Sequence, residues 1–164
     1  MLLALKKLFT GETDCVPFDY QLDLCDTELY GAKPFASPVH VTGEARGNAE
    51  GVALSVTASF DSCVPCDRCG MTIESRKEYR FAHELVLELH DADQEEYVLV
   101  EQDHLDLDEL VRADILLELP TKNLCSPDCK GLCPRCGANR NSESCSCDTR
   151  QIDSRLEILK QLID

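Results

Sequence analysis

Cysteine is the residue type in this sequence that is best placed to do chemistry. The chain has 11 cysteines in 164 residues, and an odd number cannot all pair in intramolecular disulfides. Eight of them form four close pairs, whereas Cys15, Cys25 and Cys63 stand outside this pattern. The four pairs are Cys66/Cys69, Cys125/Cys129, Cys133/Cys136 and Cys145/Cys147.

These pairs have the spacing of zinc ligands. A structural zinc takes two ligands from each of two short turns, because a two-residue spacer lets both sulfurs reach one ion about 2.3 Å away. Two of the turns repeat each other as Cys-x-Arg-Cys-Gly, at residues 66–70 and 133–137, and a glycine suits a turn that needs positive φ. We therefore predict two structural zinc ions, with the eight paired cysteines as candidate ligands.

The spacing leaves open which pairs share an ion. The pairs 133/136 and 145/147 lie within fifteen residues and can close a local loop. The pairs 66/69 and 125/129 would then join across roughly 55 residues and stabilise the tertiary fold. The alternative brings 66/69 together with 133/136. Cys63 also stands at ligand spacing before Cys66, and we treat it as spare because the glycine and the repeat favour the 66/69 pair.

Other reaction chemistries find little support in the sequence. It contains no phosphate loop, dinucleotide fingerprint, nucleophile elbow or His-Glu zinc helix. The four histidines lack metal-ligand spacing to the cysteines, and Asp103, Asp106 and Asp108 lack the glycine and glutamate of a calcium loop. We expect no enzyme. A metal-dependent nuclease, and a thiol or zinc redox switch, stand as alternatives.

The elements that would position these cysteines are mostly strands. Apolar residues alternate with others in five segments, at 18–24, 39–41, 52–60, 79–81 and 85–89, and residues 97–100 offer a further short strand. This pattern predicts an α+β fold: an antiparallel sheet or partly closed barrel with few helices and a C-terminal cysteine-rich zinc module. We expect a β-rich body with an acidic helix at residues 1–120, and a zinc-binding tail at 121–164.

Two helices are predicted from their capping residues. In the first, Asp106 can cap, Glu109 completes a capping box, and Pro120 ends the helix. In the second, Ser154 and Glu157 form another capping box near the end of the sequence.

The charge of the chain limits its partners. There are 31 acidic and 16 basic residues, so the net charge is −15, and a general basic coat for DNA or RNA is excluded. Thirteen of the acids lie in residues 84–118 with Arg112 as the one base; this block predicts a solvated face or a docking face for a basic partner. Lys130, Arg135 and Arg140 flank the tail cysteines, with Arg68 at the matching place in the central turn, as solvated charge or as phosphate contacts.

The sequence also indicates a compartment. No segment reaches the roughly 18 apolar residues that span a bilayer, and the apolar run before Lys6 is too short for the core of a signal peptide. We expect a cytoplasmic protein with no membrane contact, whose cysteines are held as thiols or zinc thiolates.

The tail resembles the bacterial and plastid YceD-like family. The segments that carry this resemblance are Leu116-Leu-Glu-Leu-Pro120, Cys125-x3-Cys129-Lys-Gly-Leu-Cys-Pro-Arg-Cys-Gly-Ala-Asn139, Cys145-Ser-Cys147, Asp153-Ser-Arg-Leu156 and the central Cys66-Asp-Arg-Cys69. The resemblance runs from about residue 50 to the end. It implies a ribosome-biogenesis factor that supports accumulation or processing of the large-subunit (23S) ribosomal RNA. We expect this factor to act by binding an assembly component, either a ribosomal protein of that subunit or pre-rRNA.

Overall fold

The computed structural model describes residues 1–48, 51–88, 97–100 and 103–147. It divides into two units. The sheet unit contains Met1–Val64 and Ile73–Thr121, and the cysteine unit contains Pro65–Thr72 together with the described residues from Lys122 onward. The predicted C-terminal helix with Ser154 and Glu157 lies outside the described residues.

Seven strands and two helices form in the described residues. In chain order they are β1 (Leu2–Ala4), α1 (Lys6–Phe9), β2 (Cys15–Leu22), β3 (Val39–Gly47), β4 (Val52–Pro65), β5 (Thr72–Val86), β6 (Tyr97–Leu99), β7 (His104–Asp106) and α2 (Leu107–Glu118). None of the helices in these ranges is both long and apolar enough to cross a bilayer.

A five-stranded sheet in the order β2-β3-β4-β5-β6 is the main element of the sheet unit. β2, β3 and β4 pair antiparallel, with Phe18 opposite Gly43 and Gly43 opposite Val56. β6 adds in parallel to β5. The described strands leave the sheet open, with β2 and β6 at its edges. Of the two predicted architectures, the sheet is therefore confirmed, and these strands do not close into a barrel. Pro17, which lacks an N–H, lies on the edge strand β2, where a proline is tolerated.

The core of the sheet unit follows the alternation in the sequence. Every second residue of β4 is buried from Val52 to Val64, including Phe60. These side chains shield one face of the sheet, where Phe60 meets Phe35 with ring centroids 4.8 Å apart. β4 therefore has the period of two that a half-buried strand requires.

The acidic helix forms where the capping residues predict it. The side chain of Asp106 accepts a hydrogen bond from the N–H of Asp108, and Leu107, Val111 and Ile115 are buried on one face. The helix ends at Glu118, before Pro120. The small sheet of β1 with β7 was not predicted, because strands of three residues are too short to show periodicity.

Candidate metal centres

The eight paired cysteines lie in two groups of four, both within the cysteine unit. In each group the four sulfur atoms all lie within 4.8 Å of one another. We call Cys66, Cys69, Cys125 and Cys129 the first cluster, and Cys133, Cys136, Cys145 and Cys147 the second cluster. Either group could hold a metal ion.

The sulfur positions of the first cluster suit a tetrahedral ion. The Sγ atoms of Cys66 and Cys129 are 3.8 Å apart, and those of Cys69 and Cys125 are 3.6 Å apart. Metal–sulfur bonds of about 2.3 Å in a tetrahedron require sulfurs about 3.8 Å apart. Cys66, Cys69 and Cys129 are buried, whereas Cys125 is exposed. The donor set therefore fits a thiophilic metal with little rearrangement.

The two Cys-x-Arg-Cys-Gly turns have the same backbone structure. We call residues 66–71 and 133–138 the first and second knuckles. In each, the N–H of the first cysteine donates to the carbonyl five residues later, and the glycine N–H donates back to the carbonyl of that cysteine. The bonds join Cys66 N to Met71 O (2.8 Å), Gly70 N to Cys66 O (2.8 Å), Cys133 N to Ala138 O (2.8 Å) and Gly137 N to Cys133 O (2.9 Å). Gly70 and Gly137 have φ of 69° and 74°, so the predicted positive φ is confirmed in both.

Backbone hydrogen bonds favour the thiolate form of the first cysteine in each knuckle. The N–H of Cys125, 3.4 Å from Sγ of Cys66, is the main reason that the pKa of Cys66 falls to about 6. Hydrogen bonds from the N–H groups of Cys136 and Arg135 likewise lower the pKa of Cys133 to about 6. Since thiolates are the ligating form of cysteine, each knuckle offers one ready ligand at neutral pH.

One later cysteine in each cluster, Cys125 in the first and Cys147 in the second, shows the opposite shift. Hydrogen bonding to the sulfurs of Cys129 and Cys69 raises the pKa of Cys125 to about 12. Hydrogen bonding to the sulfur of Cys136 raises the pKa of Cys147 to about 12 in the same way. Without a metal, one thiol in each group therefore keeps its proton and donates it in a hydrogen bond to a neighbouring sulfur, and metal binding would displace that proton.

Arg68 supports the first cluster from inside its knuckle. Its guanidinium donates to the carbonyl oxygens of Cys129 (2.8 Å) and Pro127 (3.4 Å). Arg68 is exposed, in agreement with the solvated charge that the sequence allowed, and these two hydrogen bonds add a contact to the chain around the cluster; phosphate contact stays a prediction. Lys130 and Arg140 are exposed.

Asp67 fixes the chain on the way into the first cluster. Its side chain accepts from the N–H of Asn123 at 2.8 Å, and its own N–H donates to the carbonyl of Asn123 at 2.8 Å. Sequence reasoning missed this pair and also missed Asn141, whose side chain lies 3.3 Å from Sγ of Cys129. The one feature of the sequence that could have indicated a supporting role was the position of Asp67 between two predicted ligands, Cys66 and Cys69.

The structure resolves the grouping that spacing left open. Cys66 and Cys69 lie with Cys125 and Cys129, as local loop closure favoured, and not with the pair 133/136. Cys15, Cys25 and Cys63 lie outside both groups. That the eight cysteines ligate zinc stays a prediction.

Comparison with known proteins gives one family. The profile of the family described as large ribosomal RNA subunit accumulation protein YceD matches residues 54–163, a range that contains both clusters. No solved structure matches this chain.

Individual relatives come from bacteria and from a plant. The chain is 31% identical over 153 residues to the uncharacterized protein YlbN of Bacillus subtilis, covering 89% of this chain and 87% of that protein. It is 31% identical over 98 residues to an uncharacterized protein of Mycobacterium tuberculosis, covering 57% of this chain and 47% of that one. It is 43% identical over 49 residues to the chloroplastic large ribosomal RNA subunit accumulation protein YCED homolog 1 of Zea mays, covering 29% of this chain and 17% of the maize protein.

Proposed function

We propose, because this chain belongs to the YceD family of large ribosomal RNA subunit accumulation proteins, that it supports accumulation of the large-subunit (23S) rRNA by binding a component of the assembling subunit. The observation that carries this proposal is the family match over residues 54–163, which contains the cysteine unit. The name of the maize relative supports the same role. We place this activity in the cytoplasm, since thiolate clusters persist in reducing compartments.

We further propose that each cluster holds one zinc ion with a structural role. Four sulfur donors would fill a tetrahedral coordination sphere, whereas a catalytic zinc keeps one position open for water or substrate. The donor sets therefore support a binding protein over the metal-dependent nuclease that the sequence also admitted. Tetrahedral sets of four thiolates hold zinc or iron, so metal analysis of the purified chain decides between them. Two zinc ions per chain are expected.

The acidic surface of the sheet unit favours a basic ribosomal protein as the partner. Residues 84–118 carry thirteen acids and one base, and on or beside α2 the acids Asp106, Glu109 and Glu118 are exposed. Like-charged RNA phosphates would be repelled from such a surface, whereas a basic protein would be attracted to it. The proposed partner is therefore a basic protein of the large subunit, with pre-rRNA as the competing outcome.

Complementation in cells tests the function. The gene is deleted in the organism that encodes this chain, and the ratio of large- to small-subunit rRNA is measured after return of variants. Wild type and the control Cys15→Ser/Cys25→Ser, which lies outside both clusters, should restore the ratio. Cys66→Ser/Cys69→Ser should not, because it removes half of the first donor set. A deletion that leaves the ratio unchanged refutes the proposed role.

Pull-down of the tagged full chain tests the partner. We expect a basic large-subunit protein that is released as salt rises, because screening weakens exposed charge pairs. Glu109→Gln/Glu118→Gln should weaken its recovery, while the control Glu12→Gln/Glu143→Gln, with the same loss of charge outside the acidic block, should not. Recovery of pre-rRNA alone replaces the proposed partner, and recovery of neither contradicts the proposed binding.

A further inference from the structure

The two clusters share a short piece of chain, residues 130–132. Three residues separate Cys129 of the first cluster from Cys133 of the second. The N–H of Leu132 donates to the carbonyl of Arg68 in the first knuckle at 3.0 Å. From the other side, the N–H of Arg140 donates to the carbonyl of Gly131 at 3.0 Å. A change of geometry in either cluster therefore acts on the same three residues.

Asn141 makes the most direct link between the clusters. It lies between Cys136 and Cys145, in a loop (137–144) whose two ends are ligands of the second cluster. Its side chain nevertheless serves the first cluster, because Nδ2 donates to Sγ of Cys129 at 3.3 Å. Its Oδ1 accepts the N–H of Lys130 at 2.8 Å, which fixes the orientation of the amide.

The rest of the loop holds Asn141 in this position. The Oδ1 of Asn139 accepts from both the N–H (3.0 Å) and Nδ2 (2.9 Å) of Asn141. The carbonyl of Asn139 accepts from the N–H groups of Ser142 and Glu143 at 3.1 and 2.8 Å. This turn is closed at its base by the second cluster, and tying the two ends of a loop together reduces the conformations it can adopt.

We propose that metal binding at the second cluster raises the metal affinity of the first, by ordering loop 137–144 and so placing the Asn141 carboxamide on the sulfur of Cys129. This inference rests on the proposed structural metals. Hydrogen bonds to ligating atoms orient them, and their loss costs about 10–100-fold in metal affinity. Because linkage is reciprocal, metal at the first cluster raises the affinity of the second by the same factor.

Metal titration of the purified full chain tests the coupling. Co²⁺ reports tetrahedral thiolate coordination by its absorption, and Zn²⁺ affinity follows from competition with a chromophoric chelator. Cys145→Ser/Cys147→Ser leaves the first cluster intact, and its affinity should fall about 10–100-fold. Asn141→Ala should lower the affinity of the first cluster by a similar factor. The control Ser144→Ala, an exposed residue of the same loop, should leave it unchanged.

A double-mutant cycle tests whether Asn141 transmits the coupling between the two clusters. Adding Asn141→Ala to the Cys145→Ser/Cys147→Ser chain should cost little further affinity, because both changes remove the same contact. Asn141→Asp keeps Oδ1 for Lys130 but replaces the donor near the sulfur with a negative oxygen, so it should weaken the first cluster at least as much as alanine. If Asn141→Ala disturbs the loop, Asn141→Asp still tests the hydrogen bond from Asn141 to the sulfur of Cys129. Circular dichroism shows whether the strands persist in each variant.

The outcomes separate this inference from the proposed function. First-cluster affinity that is equal with and without the second cluster overturns the coupling and leaves the structural metals standing. Coupling that survives both Asn141 variants overturns the role of Asn141. A wild-type chain that binds no metal at either cluster refutes the structural metals themselves.

Discussion

Replacing Gly131 by alanine is expected to weaken metal binding at the first cluster more than replacing Gly70. The two glycines have nearly equal φ, 70° and 69°, so the strain of a left-handed alanine, about 1–2 kcal/mol, is common to both. They differ in the space around them. A Cβ at Gly70 would meet no atom within 4 Å, whereas one at Gly131 would lie 2.9 Å from the carbonyl oxygen of Arg68.

The extra cost at Gly131 follows from what that oxygen does. It accepts the N–H of Leu132 at 3.0 Å, so relief of the contact must lengthen or break that hydrogen bond. A backbone hydrogen bond contributes about 0.5–1.5 kcal/mol net. Because metal binding and folding of such a small unit are one process, this cost lowers metal affinity. Gly131→Ala should bind about two- to twelvefold more weakly than Gly70→Ala.

Both variants are measured by Zn²⁺ competition in the Cys145→Ser/Cys147→Ser chain, where the first cluster alone is titrated. Gly137→Ala, with a φ of 74° and open space around it, is the control in the second knuckle and should leave this affinity unchanged. Equal affinities of Gly131→Ala and Gly70→Ala would refute the reasoning, because the close approach to Arg68 would then carry no energy.

Three further substitutions test the sheet and the support of the first cluster. Gly43→Ala would place a Cβ against the carbonyl oxygen of Ser55 and 2.6 Å from the ring of Phe18, and it should cost about 1–3 kcal/mol of unfolding free energy, measured in urea. An unchanged midpoint would contradict the close approach of the Ser55 backbone and the Phe18 ring to this glycine. Phe60→Leu loses the ring contact with Phe35 and should lower the free energy of unfolding by about 1–3 kcal/mol in the same assay. A decrease below about 0.5 kcal/mol, which is typical of a surface substitution, would contradict the place of Phe60 in the core. Arg68→Met removes two hydrogen bonds to carbonyl oxygens and should weaken Zn²⁺ binding at the first cluster about fivefold. The control is Arg135→Met, which changes the corresponding exposed arginine of the second knuckle and should leave first-cluster affinity unchanged. Equal effects of the two variants would refute the role of Arg68.

The sheet was predictable where its residues carry a clear period of two. From Val52 to Phe60 the alternation is strict, and this stretch is the first part of β4. The strand continues to Pro65 through Asp61, Ser62 and Cys63, beyond the end of the predicted segment at residue 60, because the polar Asp61 and Ser62 interrupt the apolar pattern. Ser62 is nevertheless 4% exposed, because it lies on the buried face of β4 and opposite Phe35 in an isolated β-bridge. Strand preference depends on such packing more than on the residue itself.

The start of β5 was missed for a similar reason. Residues Ile73, Ser75 and Lys77 share one face of the strand, but two of the three are polar, so the sequence shows no apolar stripe. The strand is set by its position beside β4 in the sheet. Only from Tyr79 onward does the composition reveal it.

The cysteine pairs were predictable as candidate ligands because the spacing within each pair is local. The supporting residues were not, because their roles arise between segments that are distant in sequence. Arg68 acts on carbonyls more than fifty positions later, and Asn141 acts on a sulfur of the other cluster. Arginine and asparagine suit many surface positions, so nothing in the sequence marks these two.

On binding metal, the two clusters would close loops of different lengths, and we expect this difference to order their assembly. The second closes eight residues between Cys136 and Cys145, whereas the first closes 55 between Cys69 and Cys125, a span that contains β5 through α2. Closure entropy costs about 0.6 kcal/mol for each doubling of a loop, so in an unfolded chain the first cluster costs about 1.7 kcal/mol more to close. Prior folding of the sheet unit offsets that cost by ordering most of the span. We therefore expect the second cluster to form from its own short segment and then to supply Asn141 to the first cluster, whose proposed metal would tie the ends of the long loop together.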